Sequence, residues 1–222
     1  MHSWESFAFT IRPTSANRDL IKLARDSFSS FLRNEERGTA SDLLFFSTHI
    51  RRGDRKTLSF SFPDRKVPTQ DYIDAIKSAW SRLHHSNKLP AVYLATDSPE
   101  AHEEFVQSYD GAVYSLFTAP DPLLRAVASP GEYYQNRFEN MNLRSRITAT
   151  TGMIVDLAIL SGLWPENEGL VPDAVICALR LAFDCSMRSH LNARNIVLIY
   201  VVLRLLAWDG RWLLVMSILL AR

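Results

Sequence analysis

Apolar residues recur at helical spacing along residues 15–33, SANRDLIKLARDSFSSFLR. Leu20, Ile21, Leu23, Ala24, Phe28, Phe31 and Leu32 share one side, which predicts a helix with Ser15 or Asn17 placed to cap it. The polar NEERGTASD breaks that pattern. LLFFSTHI, residues 43–50, then runs apolar for the length of a strand, as expected of a strand buried on both faces and ending at or just inside two arginines. Residues 55–69, RKTLSFSFPDRKVPT, mix basic residues, prolines and alternating apolar residues and read as a long, partly exposed loop. A second helix follows over residues 69–86, starting at Thr69 or Asp71, with Tyr72, Ile73, Ile76, Ala79, Trp80 and Leu83 along one side.

LPAVYLATD is a second buried strand. SPEAHEEFVQSY opens a third helix with proline early and acidic residues in its first turns, and GAVYSLF is a third short strand. Residues 118–146 are polar and predict a loop with little regular structure. ITATTGMIVDLAILSGL resumes as an apolar helix interrupted by Asp156, and PDAVICAL reads as a fourth strand. The β-α-β-α-β order with short connections predicts an α/β domain, a Rossmann-like parallel sheet covered by helices. There is no internal repeat.

Residues 195–222 approach the apolar density of a membrane span, but Arg204, Asp209 and Arg211 interrupt them. Each such charge costs roughly +2.5 to +3.5 kcal/mol at mid-membrane, against about −0.3 to −0.6 for each strongly apolar residue, so the balance is near zero. Asp209-Gly210 is a turn signal and predicts a buried helix pair, with membrane association as the lesser alternative. The first twenty residues hold no apolar run long enough for a signal peptide or an anchor.

The formal net charge of +1 gives no global reason to expect nucleic acid, so any anion site must be local. Cys177 and Cys185 lack zinc-site spacing and partner histidines, and they read as ordinary buried thiols. There is no Gly-rich phosphate loop, no H-E-x-x-H or G-x-S-x-G, and no carboxylate cluster of metal-binding pattern.

Ligands of open α/β sheets bind outside the carboxyl ends of the strands, and three polar clusters fall at predicted strand or helix ends. They are His49-Arg51-Arg52-Asp54, Thr96-Asp97-Ser98, and Asp156. Arginine forks bind phosphate oxygens bidentately and never lose their charge, which makes Arg51 and Arg52 grips for a diphosphate. Asp54 could orient an arginine or accept from a sugar, and Asp97 could take the donors of a ribose or a base edge. Each has a plainer reading. A basic pair after a strand is commonly a solvated strand end, a lone histidine is commonly a hydrogen-bonded core residue, and Asp156 could brace a neighbouring loop.

Three segments together resemble the ordered motifs of the fucosyltransferase superfamily, especially its α-1,6-fucosyltransferase-like and protein O-fucosyltransferase-like enzymes: HIRRGD at a strand end, VYLATDSPEA about forty residues on, and GMIVDLAILSG further along. The resemblance covers roughly residues 11–179. It implies the donor-binding half of a GT-B glycosyltransferase, inverting and metal-independent, with no cofactor. The donor would be GDP-fucose, the acceptor a glycan or glycoprotein hydroxyl, and the setting the Golgi or ER lumen or the Golgi membrane. By the same resemblance Arg52 contacts the donor diphosphate beside Arg51 and His49, Asp97 helps bind the guanosine, and Asp156 matches the aspartate of the third motif. Arg52 and Asp54 would be the catalytic pair.

The chain departs from that family at two places. RKTLSFSF has no glutamate after the first motif, and the first carboxylate beyond Asp54 is Asp64. After residue 179 the family continues into a Ser-Ser turn and a Cys-Arg helix, whereas this chain reads RLAFDCSMRSHLNARNIVLIY. Residues 1–179 are therefore expected to form the nucleotide-sugar-binding domain and residues 180–222 a divergent apolar tail, as a retained intron or shifted frame would produce. The alternatives are an α-1,2-fucosyltransferase-like enzyme, which shares H-x-R-R-G-D, and an inactive GDP-sugar-binding pseudo-enzyme.

Overall fold

A computed structural model describes residues 12–36, 44–53, 67–84, 88–164 and 170–177. Asp54, most of the loop expected over residues 55–69, Cys185 and the apolar tail from 180 lie outside the described residues.

Helix α1, Ser15–Glu36, leads into strand β1, Phe45–Ile50. Helix α2, Thr69–His84, and strand β2, Ala91–Thr96, follow; then come helix α3, Pro99–Ser108, and the two-residue strand β3, Val113–Tyr114. The described chain closes with helices α4, Pro122–Arg125, α5, Gln135–Asn140, and α6, Leu143–Ser161, and strand β4, Ala174–Cys177. The four strands form one all-parallel sheet in the order β3-β2-β1-β4. This is the mixed α/β, Rossmann-like arrangement that the strand and helix order predicted.

Successive side chains of a strand point to opposite faces, and both faces here are covered. Phe45, Tyr93 and Tyr114 join Ile21, Phe28 and Leu32 of α1 and Val155 and Ile159 of α6 in one core layer. Phe46, Ile50, Val92 and Leu94 pack with Ile73, Ile76 and Trp80 of α2 and Phe105 of α3 in the other. The rings of Phe28, Phe45 and Tyr93 meet edge-on, at centroid separations of 4.9 Å and 5.3 Å from Phe28.

Arg25 is buried in the α1 layer because it has work at the end of α6. Its guanidinium donates to the carbonyls of Trp164 at 2.7 Å and Ala158 at 3.2 Å, and also to that of Leu163. These include carbonyls that the last turn of a helix leaves unsatisfied, and α6 ends on Gly162 in the left-handed conformation, φ 65°.

Three local expectations are corrected. The cap of α1 is Thr14, not Ser15 or Asn17: its Oγ1 accepts from the Asn17 amide at 3.3 Å. The stretch 118–146 is not an irregular loop, since it holds α4, α5 and the start of α6. Asp121 caps α4 with Pro122 behind it, and Asn142 caps α6 through the Ser145 amide; α5 buries no residue, so it left no apolar period to read. The helix expected around Asp156 is present, and α6 runs unbroken through that residue. The third strand is two residues long because Ser115 and Thr118 turn the chain, the Ser115 amide and the Thr118 amide each donating to the other's hydroxyl at 3.3 Å.

Candidate functional site

In this strand order the chain steps outward from β1 through β2 to β3 and then returns to the other side of β1. The helices between β1 and β3 cover one face of the sheet and α6 covers the other. The carboxyl end of β1 is therefore the topological switch point, where a crevice opens between divergent connections. His49, Arg51 and Arg52 sit at that end. The sheet brings Asp97 beside it, because β2 pairs with β1 in a register that puts Ile50 opposite Thr96.

Asp97 organises the main chain there. Its Oδ1 accepts from the Arg52 amide at 2.8 Å, and its Oδ2 accepts from the Gly53 and Tyr133 amides, each at 3.1 Å. One carboxylate thus ties the ends of β1 and β2 to the segment before α5. Charge-assisted bonds of this kind are stronger than neutral ones.

The two arginines are used differently. The Arg52 residue is 8% exposed. Its Nη1 donates to the Val67 carbonyl at 2.6 Å, and its Nη2 donates to Thr69 Oγ1 at 2.6 Å and to Glu104 Oε2 at 2.9 Å. The Thr69 hydroxyl in turn donates to the same Glu104 oxygen at 2.6 Å, which closes a three-residue knot between β1, α2 and α3. Arg51 is exposed, and its guanidinium lies over the Tyr133 ring at 5.2 Å from the centroid, a cation–π contact.

A cleft of ≈ 320 Å³ opens beside this knot, lined by Arg52, Pro68, Thr69, Ser98, Glu100, Ala101, Glu104 and Glu132. Among the described residues, its charged lining is the Arg52 guanidinium and the carboxylates of Glu100, Glu104 and Glu132. Ser98 does not face a ligand with its full hydroxyl capacity, since its oxygen caps α3 by accepting from the Ala101 amide at 3.3 Å. Among the described residues no group of His, Cys, Asp or Glu is arranged to hold a metal ion.

The remaining predicted residues lie on the α1/α6 side. Alternation from Phe45 puts His49 on that face, where its register partner Ala95 belongs to the core layer. Asp156 is partly buried on α6 and its Oδ1 accepts from the Tyr93 hydroxyl at 2.8 Å. Burial pushes its carboxyl up to about 7, and the Tyr93 hydrogen bond opposes that rise. Asp97 stands at the strand tip, Arg52 reaches to the α2/α3 side, and Asp156 sits beneath the opposite face. The described residues do not bring Arg52 and Asp156 together.

Sequence reasoning passed over Glu104, Tyr133 and the second role of Thr69. Ser98-Pro99 did mark the start of α3, and Glu104 stands in the second turn of that helix. Nothing in the sequence marked Tyr133. The chain matches no protein-family model and no curated protein.

Proposed function

We propose that this domain is the donor-binding half of a GT-B-type fucosyltransferase, with the carboxyl end of β1 as the grip for the diphosphate of GDP-fucose. The observation that carries this reading is the pair Arg51 and Arg52 at the switch point, where Asp97 ties down the amides of Arg52, Gly53 and Tyr133. Arg51, exposed and steadied by Tyr133, makes the first contact with the diphosphate. Arg52 forms the wall behind it, and Asp97 holds the main chain so that both guanidiniums keep their places. The resemblance of HIRRGD, VYLATDSPEA and GMIVDLAILSG to the fucosyltransferase motifs supplies the identity of the donor.

In such a transfer an acceptor hydroxyl attacks the anomeric carbon of fucose as the bond to GDP breaks. Fixed cations stabilise the charge that collects on the departing diphosphate, and the hydroxyl proton goes to a base. Asp54, which lies outside the described residues, and His49 at the same strand end are the candidates for that base.

Calorimetry of the chain with GDP, paired with a GDP-fucose hydrolysis assay, tests the reading. Binding with release of fucose supports the transferase; no GDP binding by the folded protein overturns it. A non-catalytic GDP-sugar-binding module is the second reading, favoured by the engagement of the Arg52 guanidinium with protein groups on both Nη atoms. It predicts binding without turnover.

A further inference from the structure

We propose that the first turns of α6 form a seat for an anionic membrane surface, with Leu143 and Ile147 entering the lipid and Arg144 and Arg146 binding its phosphates. This surface is separate from the diphosphate grip and does not depend on it.

A helix packed on a sheet ordinarily carries polar residues along its outer side. α6 does not. Gly152, Val155, Ala158 and Ile159 form its buried side, yet Leu143 is 65% exposed, Ile147 57% and Met153 63%. Helical spacing puts Leu143, Ile147 and the half-buried Ile154 on one line, on which Thr150 is the polar residue. Met141, two residues before the helix, is exposed as well. Single exposed apolar residues are ordinary, whereas a contiguous group of them marks an interaction surface.

Charge identifies the occupant. At about 100° per residue, Arg144 and Arg146 stand roughly 80° to either side of the Leu143–Ile147 line. Among the described residues neither guanidinium has a hydrogen-bond or ion-pair partner, and the Nε of Arg146 is buried without one. The first turn of α6 holds no acidic residue. Cations at a helix N-terminus oppose the helix dipole, so two of them there cost stability until an anion arrives. A second copy meeting this face about a two-fold axis would set arginine against arginine. An anionic bilayer supplies both needs in one plane: hydrocarbon for the central apolar line and phosphates for the arginines at its flanks, whose stems lie along the lipid. Among the described residues no helix is long and apolar enough to cross a membrane, so α6 would lie on the surface rather than span it.

Vesicle flotation of the full chain tests this, with pure phosphatidylcholine vesicles, vesicles of about one-third phosphatidylserine, and the melting curve of each variant as its folding control. Wild type should prefer the phosphatidylserine vesicles by about tenfold or more and lose that preference as salt is raised. Arg144→Gln with Arg146→Gln should weaken binding to those vesicles about thirtyfold, at about fivefold for each arginine. Leu143→Gln with Ile147→Gln should weaken it about tenfold with every charge kept. Val106→Gln, which removes an exposed apolar side chain from α3 on the other face of the sheet, should change it less than about twofold. No binding by the folded wild type overturns the proposal, as does an arginine pair variant that binds as wild type does. Binding that ignores phosphatidylserine and survives both pair variants belongs to the apolar residues 195–222 and also overturns it. So does a wild-type dimer that Leu143→Gln with Ile147→Gln dissociates and that binds no vesicle, since a second copy then covers the face. If one pair variant does not fold, the other decides by the same criterion.

Discussion

The carbonyl of Tyr133 lies against the α-carbon of Gly53 so closely that a β-carbon at position 53 would sit 1.7 Å from its oxygen. The obstacle is backbone, which cannot rotate aside as a side chain can. Gly53→Ala should therefore push the Tyr133 segment off the end of β1, with a loss of about 1–3 kcal/mol of stability. Chemical denaturation checks this, and a midpoint equal to wild type would show that the two segments do not touch in solution.

Asp97→Asn keeps the shape of the side chain but removes the charge and turns an NH₂ toward backbone amides. With three amides affected, a loss of about 2–4 kcal/mol is expected, each charge-assisted bond being worth about 1.5–3 kcal/mol singly and the three not additive. Amide exchange by NMR should show Arg52, Gly53 and Tyr133 losing protection together. Loss of protection at only one of them would refute the shared anchor.

Arg51→Ala and Arg52→Ala should separate binding from folding. The exposed Arg51 should cost about 1.5–3 kcal/mol of GDP affinity and less than about 0.5 kcal/mol of stability. Arg52, tied to Val67, Thr69 and Glu104, should cost stability as well, about 1–3 kcal/mol. Paired titration and melting of both variants decides; equal effects of the two on stability would contradict the assignment.

Burial raises the Asp156 carboxyl to about 7, so the fold favours the protonated form. A group whose pKa is higher folded than unfolded contributes stability that is fully present below its unfolded value of about 3.9 and is lost as pH rises through the folded value. Wild type should therefore lose stability relative to Asp156→Asn between about pH 4 and pH 7. Tyr93→Phe removes the bond that opposes the rise and should extend the window upward. Melting temperatures across that range measure the difference, and parallel curves for wild type and Asp156→Asn would refute it.

His102 has the opposite sign. Its ring lies 5.1 Å from Phe117, its Nε2 is buried without a hydrogen-bond partner, and burial lowers its pKa below the ordinary 6.5, with Glu103 opposing. The fold holds it neutral, so stability is lost as pH falls below about 6.5 and the unfolded chain takes the proton. His102→Gln should flatten the acid side of the stability profile. An unchanged acid limb would place the loss elsewhere.

Apolar periodicity found α1 and α2, an early proline and acidic first turn marked α3, and short apolar runs marked the strands, Ile21, Ala24, Phe28 and Leu32 in α1 being the plainest periodic face. The same logic missed α5, which buries no residue, and could not show that Asp156 accepts a hydrogen bond from Tyr93, 63 residues away. The motif HIRRGD placed two guanidiniums at a strand end, but which of them turns inward depends on Val67, Thr69 and Glu104, supplied by other elements. Local sequence determined the elements and their order, since helix and strand burial patterns are written in neighbouring residues. Tertiary structure alone decided that Asp97 anchors three amides, that Arg52 is knotted to Glu104 while Arg51 stays exposed, and that Asp156 lies under the opposite face, because hydrogen-bond partners of buried charges come from distant parts of the chain.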